Sequence, residues 1–168
     1  MKRLFFALWP EQHIRQQCEI LTDKLNGYGK PVNPANLHVT LLFLGRISPE
    51  QQAVLTKEAS QIPVSPITLT FDCLSFWKKP AVLCLTASQF DQNVSKLNEI
   101  LATIAKQQGI TVDDRPFTPH VTLLKKADSV IDIDFAPVLW RSDGFCLVES
   151  RSIANNIEYR IIERWPAN

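Results

Sequence analysis

The word His-Val-Thr-Leu occurs twice, at His38–Leu41 and at His120–Leu123, in a chain whose only other histidine is His13. A repeat of this kind constrains the fold more than any compositional average, because both segments must present the same local surface. Side chains alternate faces along a strand, so each word offers an imidazole and a hydroxyl on one face and anchors Val and Leu on the other. Further along the first word's strand, Leu42 and Leu44 are expected on the histidine's face. The flanks repeat as well. "LFFALWP", a helix ending at Gly27, a proline-containing loop and HVTL are matched by "AVLCLTA", a helix ending at Gly109, a proline-containing loop and HVTL. One duplicated unit accounts for this, and copies packed about a pseudo-two-fold axis bring His38 and His120 face to face across a cleft.

Local patterns predict the remaining elements. Arg3 to Trp9 reads as a buried strand, followed by a helix with Ile14, Cys18, Leu21 and Leu25 on one face. "SPEQ" carries an N-cap serine, Ser48, a first-turn proline and a capping-box partner in Gln51, and this helix should run to Gln61. Strands at Ile67–Trp77 and Ala81–Ala87 form an expected hairpin. A third helix spans Phe90–Gln108, with Val94, Leu97, Leu101 and Ile104 inward. The tail reads as a hairpin turning at Ala154–Asn156.

With 168 residues, 45% of them apolar, the chain can bury roughly 70% of its unfolded surface. A single domain spanning 1–168 and built of two lobes is the expectation. Lysines and arginines number 18 against 17 acidic residues, with no basic arm, which argues against coating long nucleic acid but not against recognition of one terminal phosphate. Cys18, Cys73, Cys84 and Cys146 are scattered and read as small buried apolar residues of a reducing compartment. The apolar run Leu4–Trp9 is too short for a signal-peptide core, and no run approaches a membrane span, so a cytoplasmic location is expected.

Two facing imidazoles suit a reaction that removes one proton and supplies another, each role contributing about a hundred- to ten-thousand-fold. Phosphodiester cleavage makes that demand, and a strained 2′,3′-cyclic phosphate can open without a metal. Thr40 and Thr122 can hydrogen-bond the non-bridging oxygens. His13 reads as exposed and idle. Asp113 with Asp114, and Asp132 with Asp134, read as a turn and a strand edge rather than metal ligands, so no metal or other cofactor is expected. No G-x-S-x-G, P-loop or G-x-G-x-x-G occurs.

"RLFFALWP", "HVTLLFLG", "RPFTPHVTL" and the tail "LVESR" to "ERWP" together resemble the two-histidine phosphoesterase superfamily, and within it the RNA 2′,3′-cyclic phosphodiesterases, also called 2′-5′ RNA ligases. The resemblance implies an α+β fold of two lobes, each an antiparallel sheet with helices outside. It also implies His38 as proton donor to the leaving 3′ oxygen, His120 as proton acceptor from water, and Thr40 and Thr122 as phosphate ligands. Further substrate contacts are open at Lys125, where such proteins often carry arginine, and at Arg115, for which a surface salt bridge is the alternative. Phe43 and Phe117 are candidates to stack on a base, with core packing the favoured reading for both. The implied partners are RNA ends carrying a 2′,3′-cyclic phosphate, tRNA halves being one source. No protein partner or membrane is implied, and a monomer is expected. Reverse, ATP-independent 2′-5′ ligation is the companion activity. A small cyclic nucleotide or ADP-ribose cyclic phosphate is the alternative substrate, and a phosphate-end binding module the alternative class.

Overall fold

The structure is a computed structural model that describes residues 1–166. The chain opens with β1 (Lys2–Leu8), whose alternate residues enter two apolar clusters. Leu4, Phe6 and Leu8 join the main core, while Phe5 and Ala7 meet Cys146 and Val148 on the other face. Helix α1 (Gln12–Lys24) buries Ile14, Cys18 and Leu21, and the chain reverses at Gly27, whose φ of 91° favours glycine. β2 (Lys30–Pro31) and a 3-10 turn at Pro34–Asn36 lead into β3 (Val39–Ile47). In α2 (Pro49–Ala59) the expected capping box forms: Gln51 N–H donates to Ser48 Oγ at 3.2 Å, and Ser48 N–H donates to Gln51 Oε1 at 2.9 Å.

The second half runs β4 (Ile67–Phe71), β5 (Cys73–Trp77), β6 (Val82–Thr86), α3 (Gln92–Gln107), β7 (His120–Lys125), β8 (Val138–Ser142), β9 (Gly144–Ile153) and β10 (Asn156–Pro166). The large sheet has the order β10-β9-β1-β3-β7-β6-β5, with β2 on β7, and all its pairings are antiparallel. The order reads alike from both sides of the β3–β7 junction: β3 then β1 on one side, β7 then β6 on the other. That junction is a single pair, Val39 opposite Val121, so the two strands part immediately beyond it. Helix α3 packs on β3, and α1 packs on β7 and β8, each covering a strand from the opposite half of the chain.

Several expectations need correction. The strand expected over Ile67–Trp77 is two strands. Asp72 leaves the ladder to accept hydrogen bonds from the Ser88 N–H and hydroxyl, at 2.8 and 2.5 Å, and only β5 pairs with β6. β4 pairs instead with β8 in a separate two-stranded sheet. Sequence reading left β8 unassigned, although its buried-exposed alternation, with Trp140 at the centre, is that of a half-buried strand. Asp132 and Asp134 lie in irregular chain rather than at a strand edge. On α3, Asp91 is the N-cap, and the buried face of Val94, Leu97 and Leu101 continues to Ala105, with the expected Ile104 half-buried against the main core beside it. Cys73 is half-exposed, unlike Cys18, Cys84 and Cys146. The tail hairpin turns at Ala154 and Asn155, both at positive φ, the geometry of a tight two-residue turn. Among the described residues no helix is long and apolar enough to cross a membrane.

Candidate active site

Both HVTL words lie at the β3–β7 junction, and both carry the same irregularity. Across β1, Ala7 faces Thr40 and Phe6 faces Leu42, so Leu41 is bulged out of the ladder. Across β6, Cys84 faces Thr122 and Leu83 faces Leu124, so Leu123 is bulged in the same way. Each bulge frees a carbonyl, and each carbonyl finds a donor. Asn98 Nδ2 of α3 donates to Leu41 O at 2.7 Å, and the Val32 N–H donates to Leu123 O at 2.9 Å. The bulge also shifts the side-chain phase. Leu42 and Leu44, expected on the histidine's face, belong to the main core, and the next residue on the histidine side is Phe43. The corresponding residue after the second word is Lys125, paired with Val82 and with Lys30.

His38 is half-buried among aromatic rings. Trp9 stacks on it at 5.7 Å and 10° between planes, Phe5 lies at 5.0 Å, and Tyr159 meets it edge-on at 5.1 Å. Its Nδ1 lies 2.6 Å from Asn36 O, and its Nε2 lies 3.0 Å from Thr40 Oγ1. A carbonyl only accepts, so Nδ1 carries the proton and Nε2 of the neutral ring is left as an acceptor for the Thr40 hydroxyl. Burial pushes His38 down to about 4. The bond to Asn36 opposes this, while His120 and the Lys125 ammonium add to it.

His120 repeats the arrangement with fewer neighbours. Its Nδ1 donates to Thr118 O at 2.9 Å, and Trp77 meets the ring edge-on at 4.5 Å. Burial lowers its pKa too, against the bond to Thr118. Thr122 Oγ1 lies 3.6 Å from Cys84 Sγ, a long contact that leaves its hydroxyl lone pairs largely unused. The two imidazoles are thus fixed by carbonyls two residues upstream, in the same tautomer.

The other candidates separate. Lys125 projects on the histidine side and is exposed. Arg115 gives its guanidinium to the Asp113 carboxylate, with an 84% exposed side chain, the salt-bridge alternative. Phe117 packs against the main core as favoured, but Phe43 does not: it is 45% exposed, with the Arg3 guanidinium 4.9 Å from its ring centre. His13 is exposed beside Glu11. Among the described residues no three of His, Cys, Asp and Glu converge as metal ligands. Sequence reading missed Phe5, Trp9, Trp77 and Tyr159. The signal was available for Phe5 and Trp9, which share a strand face that Ala7 leaves open.

Residues 8–84 match the family model described as LigT-like phosphoesterase. The chain is 32% identical over 170 residues to the Escherichia coli RNA 2′,3′-cyclic phosphodiesterase, covering 98% of this chain and 96% of that protein. It is 32% identical to the Archaeoglobus fulgidus RNA 2′,3′-cyclic phosphodiesterase, with 78% of each chain covered. The crystal structure of Escherichia coli LigT complexed with 3′-AMP superposes with a TM-score of 0.91 at 31% identity, covering 99% of this chain and 98% of that one. The chain belongs to the LigT-like phosphoesterase family.

Proposed function

We propose that the protein opens the 2′,3′-cyclic phosphate at an RNA 3′ end to a 2′-phosphomonoester, by acid/base catalysis between His38 and His120 and without a metal, and that residues 1–168 act as one unit of two pseudo-symmetric lobes. Relatives matching 98% and 78% of the chain are named RNA 2′,3′-cyclic phosphodiesterases. The observation that carries the reading is the matched tethering of the two imidazoles, Nδ1–H to Asn36 O and Nδ1–H to Thr118 O. Each ring keeps Nε2 for proton transfer, and neither ring can turn without breaking a hydrogen bond.

In this mechanism water attacks phosphorus as His120 Nε2 takes its proton. The bond from phosphorus to the 3′ oxygen breaks, and Nε2–H of a protonated His38 supplies the proton that oxygen needs. Thr40 and Thr122 donate to the non-bridging oxygens, and Lys125 neutralises the charge they carry. Burial keeps His38 neutral in the resting protein, so the proton arrives with the substrate: the phosphate anion replaces the lost solvation of the imidazolium. With the 5′-hydroxyl of a second RNA in place of water, the same displacement joins the ends through a 2′-5′ bond. The energy of the ring makes ATP unnecessary.

The test is hydrolysis of a short RNA ending in a 2′,3′-cyclic phosphate, with EDTA present and the product isomer resolved by chromatography. Wild type should yield the 2′-phosphate despite chelation, and His38→Ala and His120→Ala should each lose about 10²–10⁴ in kcat. Loss of activity in EDTA, or a variant of either histidine that keeps its rate, would refute the mechanism. An inert wild type would redirect the reading to cyclic nucleotides or ADP-ribose cyclic phosphate.

A further inference from the structure

Each imidazole hangs from a carbonyl two residues upstream, and the two carbonyls are held in different ways. The His38 tether belongs to the peptide unit Asn36–Leu37, which closes the 3-10 turn at Pro34–Asn36. A peptide unit is planar, so whatever fixes its N–H also fixes its carbonyl. Here the Leu37 N–H donates to Pro34 O at 3.3 Å, and the Leu37 side chain is buried in the main core. The Arg15 guanidinium of α1 donates to the same Pro34 carbonyl. The remaining anchor comes from the far end of the chain: Asn36 Nδ2 donates to Ile157 O of β10 at 2.9 Å, across 121 residues. The His120 tether is built otherwise. Thr118 is exposed and is followed by Pro119, whose ring restricts the backbone there, and among the described residues the Thr118 side chain bonds to no other element.

The His38 tether carries most weight in the reacting state. In the free protein the ring makes two hydrogen bonds, from Nδ1–H to Asn36 O and from the Thr40 hydroxyl to Nε2. The mechanism above turns the Thr40 hydroxyl to the phosphate and Nε2–H to the leaving oxygen. Among the described residues, Asn36 O is then the one hydrogen-bond partner the ring retains. The aromatic wall cannot take over this task. Trp9 lies within 10° of the imidazole plane, and half a turn about the Cβ–Cγ bond preserves that stack while exchanging each nitrogen with a carbon. Only a directional acceptor separates the two orientations and keeps the proton on Nδ1.

We propose that Asn36 is a positioning residue for His38: its side-chain amide, seated on Ile157 of the tail hairpin, holds the carbonyl that selects the orientation and tautomer of the imidazole. This rests on the two-histidine reading above. The tail hairpin thereby does more than complete the sheet. β10 is an edge strand, which leaves alternate carbonyls without a strand partner, and the Ile157 carbonyl accepts from Asn36. Two residues further on, the same strand supplies Tyr159 to the edge of the His38 ring. One strand from the end of the chain thus fixes both the ring's anchor and part of its wall.

The test joins kinetics to the spectrum of the ring itself. Asn36→Asp keeps the side chain's shape and removes its donor, setting a carboxylate oxygen against the Ile157 carbonyl. On a short RNA ending in a 2′,3′-cyclic phosphate it should lower kcat about ten- to a hundredfold, as a misplaced catalytic group does, and leave KM within about twofold. Asn36→Ala, which removes the donor and adds no charge, should behave alike. In two-bond ¹H–¹⁵N spectra of histidine-labelled protein near neutral pH, wild-type His38 should show a protonated Nδ1 and a bare Nε2, and both variants should show mixed tautomers. His120 in the same samples should keep its single tautomer, which separates a lost tether from a folding defect. An unchanged His38 spectrum, a wild-type kcat, or an equal disturbance at both histidines would overturn the proposal. A wild type inert on this RNA would remove the RNA reading, and the spectra alone would then decide the role of Asn36: mixed tautomers confined to His38 sustain it, and an unchanged ring ends it.

Discussion

Replacing Asn98 tests whether the bulge at Leu41 is held from outside the sheet. Asn98 lies inside α3, and its side-chain amide donates to the Leu41 carbonyl at 2.7 Å in a part-buried position. Leaving such a carbonyl without a donor costs about 1–3 kcal/mol. Asparagine is also a weaker helix former than alanine by up to about 0.7 kcal/mol, so Asn98→Ala recovers part of the loss. The net expectation is a destabilisation of about 1–2 kcal/mol, seen as a Tm lower by about 2–8 °C for a chain of this size. An asparagine with no structural task would give the opposite sign, because alanine would then simply strengthen the helix. Thermal and urea denaturation read the sign. Activity on the cyclic-ended RNA reads the second consequence, a fall in kcat as Thr40, next to the bulge, loses its fixed position. A variant as stable as wild type or more so would refute the argument that α3 maintains the site's geometry.

Acid should destabilise the fold through His38. Its folded pKa of about 4 lies below the unfolded value of 6.5, so its stabilising contribution is complete above pH 6.5 and is lost as pH falls towards 4. The loss is at most on the order of 3 kcal/mol, and His38→Gln should flatten that part of the urea-denaturation profile against pH. Substrate binding should take up a proton near pH 7: titration calorimetry of His120→Ala with cyclic-ended RNA, in buffers of different ionisation enthalpy, should show uptake that disappears when His38→Gln is added. A Cβ at Gly29 would stand 2.8 Å from the Lys125 backbone oxygen, so Gly29→Ala should push β2 off β7 and lower stability by about 1–3 kcal/mol in urea denaturation.

What was legible in the sequence was whatever depends on neighbours along the chain. The capping box at Ser48, the inward faces of α1 and α3 and the tail turn at Ala154–Asn155 are local matters, and each stands essentially where expected. The break at Asp72 was not legible, because it is made by Ser88, sixteen residues away, accepting no role in any strand pattern of its own. Strict alternation placed Leu42 and Leu44 beside the histidine, and it failed because the bulge at Leu41 changes the side-chain phase until a second register shift, between Phe43 and Gly45, restores it. The aromatic wall around His38 was hidden for a related reason: Trp9 and Tyr159 come from opposite ends of the chain and meet only because β1 lies between β3 and β9.

The bulges explain why the duplicated word is more than a pair of histidines. In a regular ladder the residues facing the cleft would be His, Thr and then a core leucine, and the polar site would end two residues after it began. Skipping one residue at Leu41 and at Leu123 sends both following leucines into the core and turns the sixth residue of each word outward. That sixth residue is where the halves diverge, aromatic in Phe43 and cationic in Lys125. Because β3 and β7 run antiparallel, the two positions lie on opposite sides of the junction at Val39 and Val121. A symmetric pair of proton-transfer groups has no preferred direction for its substrate. The divergence at Phe43 and Lys125 breaks that symmetry, so under the proposed mechanism, in which Lys125 neutralises the phosphate, exchanging the two by Phe43→Lys with Lys125→Phe should leave both imidazoles tethered and yet lower kcat on cyclic-ended RNA; an unchanged kcat would refute the role given to Lys125.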